Sequence, residues 1–144
     1  MPKHNGTIER EIFIALPPEQ VFPYLVEPTL MARWIGLSHE LDPQPGGRFR
    51  VEVSSGNIAS GRYVEVIPPW RVSLTWGWES EDANLSLLPP GASLVEIELE
   101  AKDGGTLLRL RHSRLPADHA ARHGERWSFY LANLQDDGNR LSKL

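Results

Sequence analysis

The middle of the chain alternates apolar and polar residues, the pattern of β-strands that bury one face. The alternation is clearest over residues 71–78, where Val72, Leu74, Trp76 and Trp78 fall on one face. The same period predicts further strands over residues 7–16, 48–53 and 60–67. Because these strands follow one another with turn residues between them, we expect them to pair as an antiparallel sheet.

A two-residue turn at Asp103-Gly104 predicts the register of the last hairpin, because this dipeptide favours tight turns. The turn places opposite charges on the outer face and apolar side chains on the inner face. The predicted pairs are Lys102 with Gly105, Glu98 with Arg109, Glu96 with Arg111, Leu99 with Leu108, Ile97 with Leu110, and Val95 with His112. A slip of one residue would turn a set of side chains to the wrong face.

The chain ends in a helical pattern, with apolar residues spaced three and four apart from residue 116 onward. Gly138 is expected to weaken this helix locally, by ~1 kcal/mol relative to alanine. Two short helices are predicted after the first strand, beginning near Pro17 and at Pro28, and residues 79–92 are predicted to form a long loop. The predicted fold class is α+β, a curved antiparallel sheet wrapped around a long C-terminal helix.

Composition and charge narrow the functional classes. The 144 residues suit one domain over residues 1–144, and 40% hydrophobic with 24% charged residues is ordinary for a globular chain. The formal net charge of −4 argues against a nucleic-acid partner. We expect no membrane span, because no apolar run reaches roughly 20 residues. With no secretion signal at the N-terminus and no cysteine, which excludes thiolate metal sites, we expect a cytoplasmic protein.

Several segments, taken in order, resemble one known family. They are Ile12-Phe13-Ile14-Ala15 with Pro17-Pro18-Glu19-Gln20-Val21-Phe22, Pro28-Thr29-Leu30-Met31-Ala32-Arg33-Trp34, Gly46-Gly47-Arg48-Phe49, Gly61-Arg62-Tyr63-Val64-Glu65-Val66-Ile67-Pro68-Pro69, Leu74-Thr75-Trp76, Gly105-Thr106-Leu107-Leu108-Arg109-Leu110-Arg111-His112, and His123, Trp127, Leu131 and Leu134. Their order and spacing are similar to bacterial homologues of the heat-shock chaperone ATPase activator (AHSA-like proteins). That family lies in the START and birch-pollen-allergen-like SRPBCC superfamily.

The resemblance covers nearly the whole chain. It implies a helix-grip fold with a cavity between the sheet and the long helix, and it implies no particular reaction. The family pattern usually has a glycine just before the helix tryptophan, where this chain has Arg126.

The inner faces of the strands and the apolar stripe of the helix would meet where such a cavity lies. The candidate ligand-binding residues are Trp34, Phe49, Val51, Val53, Trp76, Trp78, Leu108, Leu110, His112, Trp127, Tyr130 and Leu131. The five tryptophans of the chain offer large apolar surfaces with N–H groups that need partners when buried. The alternation alone fits a filled core as well as a ligand pocket, so both interpretations stay open at this point.

We therefore predict binding of a small hydrophobic or amphipathic, lipid-like molecule, with no cofactor and no metal. One alternative is a polyketide cyclase-like or hydrolase-like enzyme that uses the same cavity, with His112 and Tyr130 as its polar groups. The pattern assigns no catalytic residue. Another alternative is a chaperone-linked protein-interaction module, which would expose an apolar patch. Homodimerisation is plausible, but no sequence pattern decides it.

Several polar residues have competing interpretations. His112 ends an apolar strand face, so it is either a ligand-binding or acid–base group or a buried histidine bonded to a backbone carbonyl. His119 and His123 lie four apart on the helix, a spacing that can hold a metal, but the sequence places no third ligand near them and a packing role is favoured. Arg10 shares a face with the isoleucines of the first strand, so it either anchors an anionic ligand group or lies at the strand end with its head in water. Asp136-Asp137 is interpreted as solvated charge.

Overall fold

The computed structural model describes residues 6–144. Seven strands form a single sheet: β1 Gly6–Ile14, β2 Ser38–Leu41, β3 Arg48–Ser54, β4 Asn57–Ile67, β5 Arg71–Glu79, β6 Ser93–Lys102 and β7 Gly105–Leu115. Their order across the sheet is β1-β7-β6-β5-β4-β3-β2, and every neighbouring pair is antiparallel. Register shifts in the β1–β7, β3–β4 and β4–β5 pairs bend the strands, as bulges do, and curve the sheet.

Three helices accompany the sheet: α1 Pro18–Val21, α2 Pro28–Met31 and α3 Ala120–Leu141. Turns of 3₁₀ helix follow α1 at Phe22–Leu25, lie in the long loop at Leu85–Leu87 and precede α3 at Ala117–His119. The fold class predicted from the pattern is confirmed. None of the helices within residues 6–144 is long and apolar enough to cross a membrane.

The register predicted for the last hairpin is confirmed at all six pairs, including Val95 opposite His112. Asp103 and Gly104 both have positive φ, 51° and 78°, as a type I′ turn requires. Of the two opposite-charge pairs on the outer face, Arg111 bonds Glu96 at 3.4 Å as predicted, whereas Arg109 does not bond Glu98. Arg109 bonds Glu11 and Glu100, at 2.9 Å each, instead of its direct neighbour Glu98.

Helix α3 lies against the inner face of the sheet and is tied to β1 near its C-terminal end. Gln135 Nε2 donates to the Phe13 carbonyl at 2.8 Å, and Asn139 Oδ1 accepts from the Ala15 amide at 2.8 Å. Gly138 does not interrupt the helix. It lets α3 approach β1 closely, because a Cβ at Gly138 would lie 2.4 Å from Ile14 Cγ2.

The structure differs from the sequence-based expectation in two places. The hydrophobic pattern does not predict strand β2, because its four residues are exposed or half-buried and carry no apolar alternation. Asp137, interpreted as solvated charge, is buried instead and only 6% exposed. The Tyr24 hydroxyl donates to its Oδ2 at 2.7 Å and Arg33 Nε donates to the same oxygen at 2.8 Å, so partners replace the lost water.

Candidate functional site

A cluster of aromatic rings fills the space between the sheet and the N-terminal half of α3. Trp76, on the inner face of β5, lies at its centre. The Trp76 ring centroid is 5.8 Å from Phe49, 5.5 Å from Trp78 and 5.2 Å from Trp127. It is also 5.8 Å from the His112 ring on β7. Strands β3, β5 and β7 and helix α3 thus each contribute a ring to this cluster.

His112 is fully buried and has a hydrogen-bond partner at each ring nitrogen. Trp127 Nε1–H donates to His112 Nδ1 at 3.0 Å, so Nδ1 carries no proton. The Ser93 hydroxyl donates to the Trp76 carbonyl at 2.6 Å, which leaves Ser93 Oγ as acceptor for His112 Nε2, 2.7 Å away. We therefore assign the neutral Nε2–H form to His112.

His123, on α3, uses the opposite tautomer. Its Nδ1 donates to the His119 carbonyl at 3.0 Å, because a carbonyl oxygen can only accept. Trp78 Nε1–H donates to His123 Nε2 at 3.1 Å. The two histidine rings lie 5.3 Å apart at nearly right angles. Each of them thus accepts a hydrogen bond from a different tryptophan.

Burial keeps both histidines neutral. It lowers the pKa of His112 well below its usual range, and the nearby His123 adds to the effect. Burial also lowers the pKa of His123, against the opposing effect of the bond to the His119 carbonyl. Because both nitrogens of His112 are occupied, this histidine has neither a free lone pair nor a free proton to offer a reacting group in this arrangement.

Trp76 differs from the other buried tryptophans in its indole N–H. Trp34 Nε1 donates to the Tyr24 carbonyl at 3.0 Å, and Trp78 and Trp127 donate to the histidines. Trp76 is 4% exposed, yet its Nε1 is the one buried side-chain polar atom without a hydrogen-bond partner among residues 6–144. An unsatisfied buried donor costs about 1–3 kcal/mol, so its presence calls for a physical reason.

Side chains fill most of the space that the resemblance led us to expect as a cavity. Two small voids lie beside the cluster, of about 10 Å³ and about 20 Å³. Each has room for roughly one water molecule. The interior has little free volume in this structure, because tilted and edge-to-face indole rings occupy the space. Ile35, Trp76 and Trp127 line both voids and form the partition between them.

We call the void of about 10 Å³ the outer void and the void of about 20 Å³ the inner void. A surface depression of about 210 Å³ lies next to the outer void, between the 79–92 loop and the start of α3. His123 and Arg126 line both this depression and the void of about 10 Å³. Arg122, one turn before Arg126, and Asp82 of the loop also line the depression. Arg126 therefore stands at the boundary between the surface and the aromatic interior.

The structure brings the twelve candidate residues to the inner side of the fold, eleven of them buried and Tyr130 half-buried. Seven of them line a void: Trp34, Phe49, Val53, Trp76, Trp78, Trp127 and Tyr130. The other five, Val51, Leu108, Leu110, His112 and Leu131, are buried in the core and line neither void. Their role in ligand binding stays a prediction.

Several residues that line a void are not among the candidates predicted from the sequence. Val72, Leu74, Val95 and Ile97 lie on inner strand faces, so the alternation that selected Trp76 could have selected them. Ile35 follows the second short helix and had no periodic signal to mark it.

The other polar residues considered from the sequence have packing roles. His119 stacks on His123 with ring centroids 6.0 Å apart. Among residues 6–144, no three histidine, aspartate or glutamate side chains are grouped so that they could hold a metal ion. Arg10 crosses from β1 to α3, where its Nε donates to Ser128 Oγ at 2.8 Å and its guanidinium covers Gly124.

Sheet, helix and enclosed aromatic cluster together define a helix-grip protein. Residues 15–136 match the family described as "Activator of Hsp90 ATPase homolog 1-like protein". The match covers well over half of the chain, so the chain belongs to this family. Comparison with curated proteins gives no match.

Solved structures of bacterial proteins agree with this assignment. The AHSA1-like protein RHE_CH02687 from Rhizobium etli is 39% identical over 94% of this chain and 82% of its own, with a TM-score of 0.71. Protein MLL2253 from Mesorhizobium loti is 25% identical over 90% of this chain and 94% of its own, with a TM-score of 0.78. Aha1 from Colwellia psychrerythraea, described as a dimer, shares the fold at 20% identity over 92% and 96%, with a TM-score of 0.76.

Proposed function

We propose that this protein binds a small, mostly apolar molecule between its sheet and the N-terminal half of α3. The residues that would contact the molecule are those around Trp76, with Trp127 and Tyr130 contributed by α3. A lipid-like or other amphipathic molecule fits the proposal if its polar end stays near Arg126 at the surface.

One observation carries the proposal: three spaces share walls from the surface to the centre of the fold. His123 and Arg126 separate the surface depression from the outer void. Ile35, Trp76 and Trp127 separate the outer void from the inner one. In this proposal, rotation of the shared side chains to other χ rotamers would join the spaces into one pocket.

Binding must be coupled to such an opening. Ligand pockets for drug-sized molecules have volumes of ~300–1,000 Å³, far above the two voids. Tyr130 is half-buried and Arg126 is exposed. Both side chains can therefore swing toward solvent without disturbing fully buried residues. The structure thus represents the closed state of the proposed site, and a bound molecule would stabilise an open state.

No specific observation favours the enzymatic alternative, since His112 has both nitrogens occupied. Homodimerisation also stays a prediction, which light scattering of the purified protein measures directly.

The first test is native mass spectrometry of the purified protein, followed by denaturing extraction. A co-purifying apolar molecule of defined mass would support the proposal and give the ligand's chemical class.

The second test is NMR titration with ethylbenzene, a neutral probe without polar atoms. We expect saturable shifts of backbone amides around the aromatic cluster. The variant Ile35→Phe places extra volume at the partition between the voids and should weaken binding roughly tenfold. Leu37→Phe adds similar bulk two residues away on an exposed side chain, 67% accessible, and should leave binding unchanged. Equal effects of both variants, or no saturable shifts in the original protein, would contradict the proposal.

A further inference from the structure

The indole N–H of Trp76 restricts the chemistry of the molecule that this site takes. Trp76 lines both voids, and its Nε1 has no acceptor among residues 6–144 although the side chain is almost fully buried. Folded proteins rarely leave a buried donor unpaired. This donor therefore belongs to a ring that lines the proposed ligand space, and no protein group among residues 6–144 satisfies it.

We infer that the ligand carries an uncharged hydrogen-bond acceptor, a carbonyl or ether oxygen, which accepts from Trp76 Nε1–H, and that the rest of its buried part is apolar. This inference rests on the proposed function, since it names the chemical class bound at the same site.

The remaining polar groups of the cluster explain why a single acceptor is enough. The indole N–H groups of Trp78 and Trp127 donate to His123 and His112. The N–H groups of His112 and His123 donate to Ser93 Oγ and to the His119 carbonyl. At the inner void, additional polar atoms on a ligand would lose their water and find no partner among these groups, which would weaken binding, whereas Arg126 and Tyr130 line only the outer void.

The charges around the voids explain why the acceptor is neutral. No aspartate, glutamate or lysine lines either void, and Arg126 alone carries a charge, at the outer one. The inner void is lined by apolar residues and indole rings. A carboxylate placed against Trp76 would be buried without a cation beside it, whereas a carbonyl loses far less hydration.

The test compares three probes of similar shape. Acetophenone carries a ketone oxygen, ethylbenzene lacks any acceptor, and benzoate carries a negative charge. Dissociation constants are measured by NMR titration with the original protein, Trp76→Phe and the control Trp70→Phe. Trp70 is 48% exposed at the β4–β5 turn, so the control makes the same chemical change outside the cluster.

The informative quantity is the Kd of ethylbenzene divided by the Kd of acetophenone. Comparing this ratio between variants cancels the difference in how water solvates the two probes. We expect Trp76→Phe to lower the ratio about tenfold, the size of one hydrogen bond, and Trp70→Phe to leave it unchanged. Benzoate should bind more weakly than acetophenone in the original protein.

Each other outcome has a distinct meaning. If ethylbenzene binds but the ratio is the same in Trp76→Phe, the acceptor inference is wrong and the proposed function stands. If benzoate binds as well as acetophenone, the acceptor is not restricted to neutral groups and the inference also fails. If no probe binds, the proposed function fails with it.

A second measurement covers the case in which Trp76→Phe does not fold. In the original protein, acetophenone should move the Trp76 Nε1–H proton resonance downfield, and ethylbenzene should not. An unchanged Trp76 resonance at saturating acetophenone would overturn the inference.

Discussion

The two halves of α3 bury polar groups by different means. In the C-terminal half, Asp137 carries a full charge and is held by Tyr24, Arg33 and Arg140. In the N-terminal half, the buried polar groups are neutral rings that bond one another, with His123 on α3 and His112 on β7 as acceptors. The first arrangement fixes the helix to the 18–34 segment, and the second fixes rings around two voids.

Solvent access to the partner side chains explains why Asp137 stays charged in the C-terminal half, whereas the buried histidines of the N-terminal half are neutral. Burial by itself raises the pKa of Asp137, but hydrogen bonds from Arg33 and Tyr24 outweigh burial, and the pKa is lowered. The side chains of Arg33 and Arg140 remain 44% and 64% exposed, so the cations keep much of their hydration. Burial and the bond to Asp137 raise the pKa of Tyr24 to about 12, which keeps its hydroxyl a donor.

The comparison assigns different tasks to the two halves. The C-terminal half has a saturated ionic clamp and a close glycine contact, features that resist movement. Beside the N-terminal half lie the unpaired indole N–H of Trp76 on β5, two voids and the half-buried Tyr130. No ion pair within residues 6–144 involves this half of the helix, so movement there breaks none. These features support the proposed ligand site at the N-terminal half, which would open while the clamped half holds the fold together.

Removing a ring of the N-terminal half should have the largest effect on stability. Trp127→Ala removes a buried indole and leaves His112 Nδ1 without its donor, so we expect a loss of about 3–5 kcal/mol in the free energy of unfolding by urea. The control Phe129→Ala, 64% exposed on the same helix, should change it by less than about 0.5 kcal/mol. Similar losses in both variants would mean that the cluster is not a packed core.

Removing the charge of the clamp should have the next largest effect. Asp137→Asn weakens the bonds to Tyr24 and Arg33, and we expect a loss of about 1–3 kcal/mol at neutral pH. Asp136→Asn alters the exposed neighbour and should be nearly silent. Because the folded pKa of Asp137 lies below the usual 3.8, its stabilisation is present above that pH and disappears as the pH falls through the folded pKa. A difference between the original protein and Asp137→Asn that persists in strong acid would contradict the ionic clamp.

Acid should weaken the neutral half at higher pH than the clamp. The folded pKa of His112 lies well below the usual 6.5, so the unfolded chain binds the proton first and stability falls as the pH drops below 6.5. The expected loss from His112 is about 1 kcal/mol between pH 6.5 and 5.5 and approaches about 1.4 kcal/mol for each further pH unit. Urea unfolding at pH 7.5, 6.5 and 5.5 measures it, and imidazole ¹⁵N spectra should show a neutral Nε2–H His112 at pH 5.5. Titration of folded His112 near pH 6.5 would contradict this assignment.

The smallest expected effect is the difference in unfolding free energy between the Trp78→Phe and Trp76→Phe variants. Trp78→Phe leaves His123 Nε2 without a donor, whereas Trp76→Phe breaks no hydrogen bond. Both substitutions remove similar buried area, so Trp78→Phe should be the more destabilising by about 1 kcal/mol. Equal losses would indicate that the Trp76 N–H has a partner in solution.

The sequence predicted most of the sheet, because the strand signals are strong and local. The Asp103-Gly104 turn and the charge pattern sufficed to place Val95 opposite His112, as observed. Strand β2 was not predictable from the pattern, because it is a short edge strand that pairs only with β3. It has no buried face that would require apolar residues.

The candidate site was harder to predict because it depends on three-dimensional contacts. Alternation put Trp76, Trp78 and Trp127 on inner faces, but it could not show that their rings fill the space between sheet and helix. No local sequence pattern indicates which residue of the Asp136-Asp137 pair is buried. Asp137 is the buried one because Tyr24 and Arg33 pack against α3 and bond its carboxylate. The unpaired state of Trp76 Nε1 likewise depends on where every neighbouring acceptor points.

The indole N–H spectrum of the ¹⁵N-labelled protein is the sharpest test of a ligand site between sheet and helix, since five tryptophans give five probes of location. With saturating acetophenone, we predict a large shift of the Trp76 resonance, smaller shifts of Trp78 and Trp127 beside it, and none for exposed Trp70. A spectrum in which Trp70 shifts and the three cluster resonances stay in place would put binding on the surface and contradict a ligand site between sheet and helix.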